Sequence, residues 1–426
     1  MEDKTMEQDN SELYDMLLSR FVRYAKTYSE SSEKSADEGN IPSTPQQWDM
    51  ANMLKGELLE LGLEGVCVTD NCYVYGSLKA SAGLENAEPF ALLAHIDTVE
   101  EVSGKDVKPQ IIKDYAGEVI RLSDGSIIDP ASDSALRAAG EERDTIITSD
   151  GTTLLGADDK AGIAAIMSAL EVIVSQGVSH GKIEVIFSPD EETGHGMDKV
   201  PLTMIESKKA YTVDGGHIGE LETECFNAFK SEVTFTGKSV HTGSARAIMV
   251  NAVEMASSFV SNLPHHELPE TTDGYMGFYA PMEISGSVES AKVSLLLRDF
   301  SMEGMEKRKA FVDSLAMVVA NGFGGGASVK HTEQYRNMRA KLDENPSVVE
   351  NLVTAYRVAG VEPVFQPIRG GTDGSRLTEM GIPTPNIFTG GHNYHSRTEW
   401  LSMKQLERCA LVLVALARIS ANIEEA

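Results

Sequence analysis

The sequence predicts an α/β protein with a separate α+β domain inserted into it, and three observations carry that reading. Strand-length apolar runs alternate with helix-spaced segments over residues 1–224, the texture changes to short alternating strands and helices over 225–335, and α/β texture resumes over 336–426. The chain of 426 residues, 41% hydrophobic, has the mass for both bodies and a full core. Its 65 acidic against 37 basic residues leave a net charge of −28, which repels phosphate backbones and anionic headgroups and attracts cations. Neither nucleic acid nor a membrane is therefore expected as a partner. The longest apolar run, 409–417, is too short to span a bilayer. The acidic start lacks the basic lead and apolar core of a signal peptide, so a cytoplasmic protein is expected. Cys67, Cys72, Cys225 and Cys409 lack paired metal spacing and read as reduced thiols.

In chain order, the acidic first ten residues are expected to be disordered. Leu13, Met16, Leu17, Phe21, Val22 and Tyr24 then recur at roughly helical intervals over 11–28. A second helix fits 44–61, and short strands fit 65–68 and 72–78. The unbroken apolar run 90–94 suits a strand buried on both faces, with His95 and Asp97 at its C-terminal end. Residues two apart on an extended chain share a side, so Asp97 can reach the His95 imidazole. The charged stretch 99–143 reads as a long, irregular surface excursion.

The stretch 147–167, ITSDGTTLLGADDKAGIAAIM, organises the chain. A glycine-bearing loop enters a helix through Asp158 and Asp159, and Ile163, Ile166, Met167, Leu170, Ile173 and Val174 follow at helical spacing. Helix N-termini favour carboxylates, so taken alone this pair reads as a cap. Its company argues otherwise. A strand at 182–187 ends in SPDEETGHG, with Glu191 and Glu192, and another at 210–213 ends in Asp214 and two glycines. Strand ends that deliver acidic and imidazole groups mark a site at the carboxyl edge of an open sheet.

The insertion reads as strand 229–235, helix 248–263, strands 282–288 and 293–300, helix 302–321 and strand 328–334. That order, βαββαβ, belongs to a split-βαβ sandwich. The last segment holds a helix at 347–359, the loop IRGGTDGSR, the strand-like PTPNIF, the loop TGGHNYHSRTEW with His395, and a helix over 402–419.

Together His95, Asp158, the pair Glu191 and Glu192, Asp214 and His395 offer mixed nitrogen and oxygen ligation, which suits zinc and, less well, cobalt or manganese. A carboxylate whose oxygens face different ions can bridge them, and Asp158 is the natural bridge. One of the two glutamates can bind metal while the other serves as general base; residue chemistry alone leaves open which.

The strings ALLAHIDT, TTLLGADDKAGIAAIM, SPDEETG, YTVDGG, HTGSARAIMVNA, RDF, YRNMR, PIRGGTDGSRL and FTGGHNYH resemble the peptidase T family, tripeptide aminopeptidases among the co-catalytic di-zinc exopeptidases. The resemblance runs from about Leu17 to Ile419. It implies a two-domain fold, with a mixed-sheet catalytic domain (1–224 and 336–426) and an inserted lid or dimerisation-type domain (225–335). It also implies two Zn2+ per chain, with Co2+ or Mn2+ as substitutes. By resemblance His95 and Asp214 hold one ion, Glu192 and His395 the other, and Asp158 bridges them. Asp97 orients His95, Glu191 is the general base, and Asp159 has no ligand role. His241 matches an oxyanion-stabilising histidine. Arg298, Asn337 and Arg369 match positions that hold the substrate backbone and carboxylate, with a buried salt bridge as the other reading of Arg298.

The implied activity is zinc-dependent removal of the N-terminal residue from tripeptides. A dipeptidase or N-acyl amino acid hydrolase on the same scaffold is the alternative, and a non-catalytic metal-dependent peptide-binding protein a remote one. Short peptides are the implied partners, and the inserted domain allows a homodimer. Thr242 stands where the family commonly has proline, and His392 and Trp400 where tyrosine and phenylalanine are usual.

Overall fold

A computed structural model describes residues 2–422, with side chains described from Ser11 onward. The chain forms two units, one of Met1–Thr223, Lys341–Gln366 and Thr372–Ala426, the other of Glu224–Ala340 and Pro367–Gly371.

The first unit is built on an eight-stranded mixed sheet. In spatial order its strands are Glu64–Val68, Val74–Leu78, Ile183–Ser188, Phe90–His95, Ala210–Gly215, Asn386–Phe388, Glu220–Cys225 and Val364–Ile368. The run from Ile183–Ser188 to Asn386–Phe388 is parallel, and Val74–Leu78 and Glu220–Cys225 flank it antiparallel. Every residue of Phe90–His95 and Ile183–Ser188 is buried, which is why 90–94 reads as an unbroken apolar run; the second strand buries Glu184 as well.

Helix Ala157–Ser175 packs on Phe90–His95 and Ala210–Gly215 and is covered in turn by helices Glu2–Ala25 and Met403–Ser420. It is therefore buried nearly all round: Ala161, Ala164, Ala165 and Ala169 are as inaccessible as Ile163, Ile166 and Leu170. Val174, expected on the buried face, is exposed because it lies in the last turn. Where helix and strand come closest stands Gly162; a Cβ there would lie 1.8 Å from the Val213 carbonyl oxygen.

The expected disorder of the first ten residues falls outside the residues whose side chains are described, which begin at Ser11 in helix Glu2–Ala25. One expectation is corrected. The stretch 99–143 is not irregular: it holds strands Gln110–Ile112, Ile120–Arg121 and Ile127–Ile128 and helix Ser134–Glu141. Gln110–Ile112 joins Ile146–Thr148, Trp400–Ser402 and Gly391–His392 in an antiparallel sheet, and Tyr115, Leu122, Leu136 and Trp400 share a small core. Strands of two or three residues show no periodicity; Ile120–Arg121 pairs with nearby Ile127–Ile128, while Gln110–Ile112 pairs with Ile146–Thr148, whose other partner, Trp400–Ser402, comes from the far end of the chain.

In the second unit the order is the expected βαββαβ: Asn227–Thr236, Ala252–Ser261, Phe278–Gly286, Ser290–Asp299, Met302–Phe323 and Gly326–Tyr335. Its antiparallel sheet runs Phe278–Gly286, Ser290–Asp299, Asn227–Thr236, Gly326–Tyr335. The helices bury Phe235, Phe259, Val293, Leu295 and Val312 against it. The first helix begins later than its apolar spacing suggests, at Ala252, because the Asn251 side chain caps it by accepting from the Val253 N–H.

Candidate metal centre

Three parallel strands end at one edge of the large sheet, and each delivers ligand-type side chains there. His95 closes Phe90–His95, and Asp214 lies at the end of Ala210–Gly215. After Ile183–Ser188 the chain turns through Asp190, at φ 58°, into a short 3-10 turn holding Glu191 and Glu192. The loop that enters helix Ala157–Ser175 through Gly156, at φ 78°, presents Asp158, whose peptide to Asp159 is cis. The hairpin between Gly391–His392 and Trp400–Ser402 presents His395.

Asp158 stands at the centre of this set. Its Oδ1 lies 2.9 Å from His95 Nε2 and its Oδ2 3.2 Å from His395 Nε2. His95 Nε2 is also 3.6 Å from Asp214 Oδ1, and His395 Nε2 is 3.1 Å from Glu192 Oε2. The carboxylate thus faces a different imidazole–carboxylate pair with each oxygen. Asp97, wholly buried, supports the arrangement from behind. Its Oδ1 is 3.3 Å from His95 Nδ1, and its carboxylate accepts the N–H of Glu191 at 3.0 Å and of Glu192 at 3.2 Å. One side chain therefore orients the ring and carries the turn with both glutamates.

Burial pushes the Glu192 carboxyl up to about 8 and Asp214 to about 6, with the nearby Asp158 charge adding to both. Burial also raises Glu191 well above the usual carboxylate range. Desolvation works against charge on Asp158, but hydrogen bonds from His395 and His95 hold it low. His395 is raised to about 11 by its bonds to Asp158 and Glu192. Several buried carboxylates thus crowd around two imidazoles. Divalent cations would relieve that crowding, and the donors, carboxylate oxygen and imidazole nitrogen, are those zinc takes. Ligand atoms of His95, Asp158 and Glu192, and likewise of His95, Asp159 and Asp214, lie within 4.8 Å of one another. Asp159 is otherwise engaged, since its oxygens accept the backbone N–H of His95 at 3.2 Å and of Gly162 at 3.1 Å.

Four buried residues beside the site carry no role in the sequence reading. Asp190, next to the glutamate pair, accepts from the Ser43 N–H and hydroxyl and from Gln47 Nε2. Asp373, inside the quoted GGTDGSR loop, accepts from the Ser188 hydroxyl, and burial pushes it up to about 7. Lys160 donates to the Thr27 carbonyl at 2.7 Å, and burial lowers it to about 8. Glu399 accepts from the loop before Asp158. Their signal was adjacency to motif residues; their partners lie far off in sequence.

The remaining expected site residues belong to the second unit. His241 is exposed, and its Nδ1 accepts from the Gly243 N–H at 3.1 Å. Arg298, partly buried, donates from Nη1 to the Leu297 carbonyl and Gln334 Oε1 and lies over the Tyr335 ring. Asn337 donates to the Phe300 carbonyl and accepts from the N–H of Cys225 and Arg339. Arg369 donates to the carbonyls of Gly274, Met276 and Thr272 and lies over Phe226.

Residues 143–419 match the model of peptidase family M20/M25/M40. A peptidase T from Geobacillus thermodenitrificans is 43% identical over 405 residues, 95% of this chain and 98% of that protein. One from Clostridium perfringens is 41% identical over 405 residues, with the same coverage of both. The crystal structure of the aminopeptidase PepT from Bacillus cereus superposes with a TM-score of 0.75 at 24% identity, covering 96% of this chain and 99% of that one.

Proposed function

Since this chain belongs to peptidase family M20/M25/M40, within it to the peptidase T group, and is a peptide hydrolase, we propose that it is a two-metal aminopeptidase that removes the N-terminal residue of tripeptides. The observation that carries the reading is Asp158, whose two oxygens stand 2.9 and 3.2 Å from two different histidines. His95 and Asp214 would hold one zinc ion, Glu192 and His395 the other, with Asp158 between them and cobalt or manganese as substitutes. Such ions, when bound, polarise a carbonyl and make a water nucleophilic at neutral pH.

Glu191 takes the general-base role. Its carboxylate accepts no hydrogen bond among the described residues, whereas Glu192 is 3.1 Å from His395 Nε2. A carboxylate left unengaged beside the ligand set can accept a proton at one oxygen and return it to the leaving amine. Asp97 keeps His95 and the glutamate turn in register for that step.

To the second unit we assign substrate handling. With Nδ1 accepting from Gly243, His241 carries its proton on Nε2, the form that can donate to a developing oxyanion. Arg298 keeps Nε and Nη2 uncommitted among the described residues and is the better candidate for the substrate carboxylate. Arg369 and Asn337, spent on backbone groups, shape the binding loops. Exposed Met282 and Ile284, on an outer strand of that unit's sheet, support a homodimer. Four free cysteines support a cytoplasmic, reducing location, and among the described residues no helix is long and apolar enough to cross a membrane.

Metal content and tripeptide hydrolysis, measured on one sample, test the reading. Two ions per active chain are expected, along with release of the free N-terminal residue, and Asp158→Asn should lose both ions. A fully active wild type with a single tightly held ion, or a preference for blocked amines, would overturn it.

A further inference from the structure

The loop that carries Asp158 has little regular structure of its own. Its residues 155–158 lie where a helix begins and backbone N–H groups lack intrahelical partners, and Asp158 and Asp159 themselves depart from helical φ and ψ. All four N–H groups are collected by one side chain. Glu399 Oε2 accepts from Leu155 and Gly156, both at 2.8 Å, and Oε1 accepts from Ala157 at 2.7 Å and Asp158 at 3.2 Å. Glu399 is 1% exposed, so without it these donors would be buried and unpaired.

Glu399 also follows His395 closely on the same hairpin. That hairpin is anchored by Trp400–Ser402 pairing with Ile146–Thr148, by Trp400 Nε1 donating to Asp133 at 3.0 Å, and by the Ser402 hydroxyl donating to Asp144. One anchored piece of chain thus presents His395 and grips the backbone that presents Asp158.

We infer that Glu399 is a positioning residue for the metal centre, setting the carboxylate of Asp158 against His395 by holding the loop that bears it. The inference rests on the two-ion reading of the site. A purely fold-supporting carboxylate would look different in one respect, and Glu184 supplies the comparison. It is equally buried and accepts from the N–H groups of Glu206 and Ser207 and from the Tyr75 hydroxyl, without touching the ligand loops.

The experiment compares Glu399→Gln with Glu184→Gln in the full chain, reading zinc affinity by chelator competition and backbone hydrogen exchange in the metal-free protein. Both variants should lose stability. Only Glu399→Gln should weaken zinc binding, by about tenfold or more and for both ions, because Asp158 faces both sites. Only that variant should speed exchange at residues 155–158. Wild-type zinc affinity in Glu399→Gln, or an equal loss in Glu184→Gln, would overturn the inference. A wild type that takes up fewer than two ions would overturn the site reading instead, whatever the variants do. If Glu399→Gln fails to fold, Glu399→Asp, which keeps the charge but withdraws it by one methylene, is held to the same expectations.

Discussion

Glu191 and Glu192, adjacent and of one type, lie on a 3-10 turn and find different surroundings, and the proposed division of work between them follows from that. Glu192 meets His395, while Glu191 keeps its carboxylate free among the described residues. Glu191→Ala is therefore expected to keep both metals but to lower kcat by at least about 100-fold, the low end of what a general base contributes. Glu192→Ala should instead release one ion; metal content and kcat on the same preparations separate the two, and exchanged phenotypes would reverse the assignment. His392 offers a pH test. It stacks on Trp400 with ring centroids 4.0 Å apart, and burial, with His217 nearby, pushes its imidazole down from 6.5 to about 4. As pH falls the unfolded chain takes up this proton first, so the contribution is complete above about 6.5 and is lost as pH drops toward 4. At about 1.4 kcal/mol per pKa unit the full loss is about 3 kcal/mol. Urea unfolding of metal-free His392→Phe should show a correspondingly shallower decline across that window; the same slope as wild type would exclude the effect.

At the scale of elements, the contact that sets the site is helix Ala157–Ser175 lying on strand Ala210–Gly215. Gly162 makes it close, since a Cβ there would meet the Val213 carbonyl at 1.8 Å and Asp159 Oδ1 at 2.4 Å. Both obstacles are next to site residues, Asp214 and Asp158. Gly162→Ala is expected to cost about 1–3 kcal/mol by overpacking, read from urea unfolding, and to reduce metal uptake as Asp214 shifts. Unchanged stability with full metal content would show that the helix can move away freely. This helix and its two parallel strands were legible in the sequence, because an element buried on all sides reads as a long apolar segment. The sheet holding Trp400–Ser402 was not, because its strands have two or three residues and find their partners across most of the chain.

Over the whole molecule the dominant electrostatic fact is the net charge of −28. A field of that sign draws in cationic peptides and slows anionic ones, and salt screens it beyond a Debye length of about 10 Å at 0.1 M. Raising ionic strength from about 0.02 to about 0.3 M should lower kcat/KM for lysine-bearing tripeptides, raise it for glutamate-bearing ones and leave neutral ones nearly unchanged. Equal responses from all three would show that steering plays no part. The sequence by itself determined the alternation of strands and helices, the βαββαβ insertion, and the arrival of His95, Glu191, Glu192 and Asp214 at strand ends, since burial and strand direction act through neighbours along the chain. Resemblance implied the roles of Asp158, Glu191 and Glu192; tertiary structure alone decided the distances from Asp158 to His95 and His395, and that Glu399 grips the loop of Asp158. A carboxylate that accepts from backbone N–H groups leaves no mark on the identity of its partners, because every residue but proline supplies the same donor.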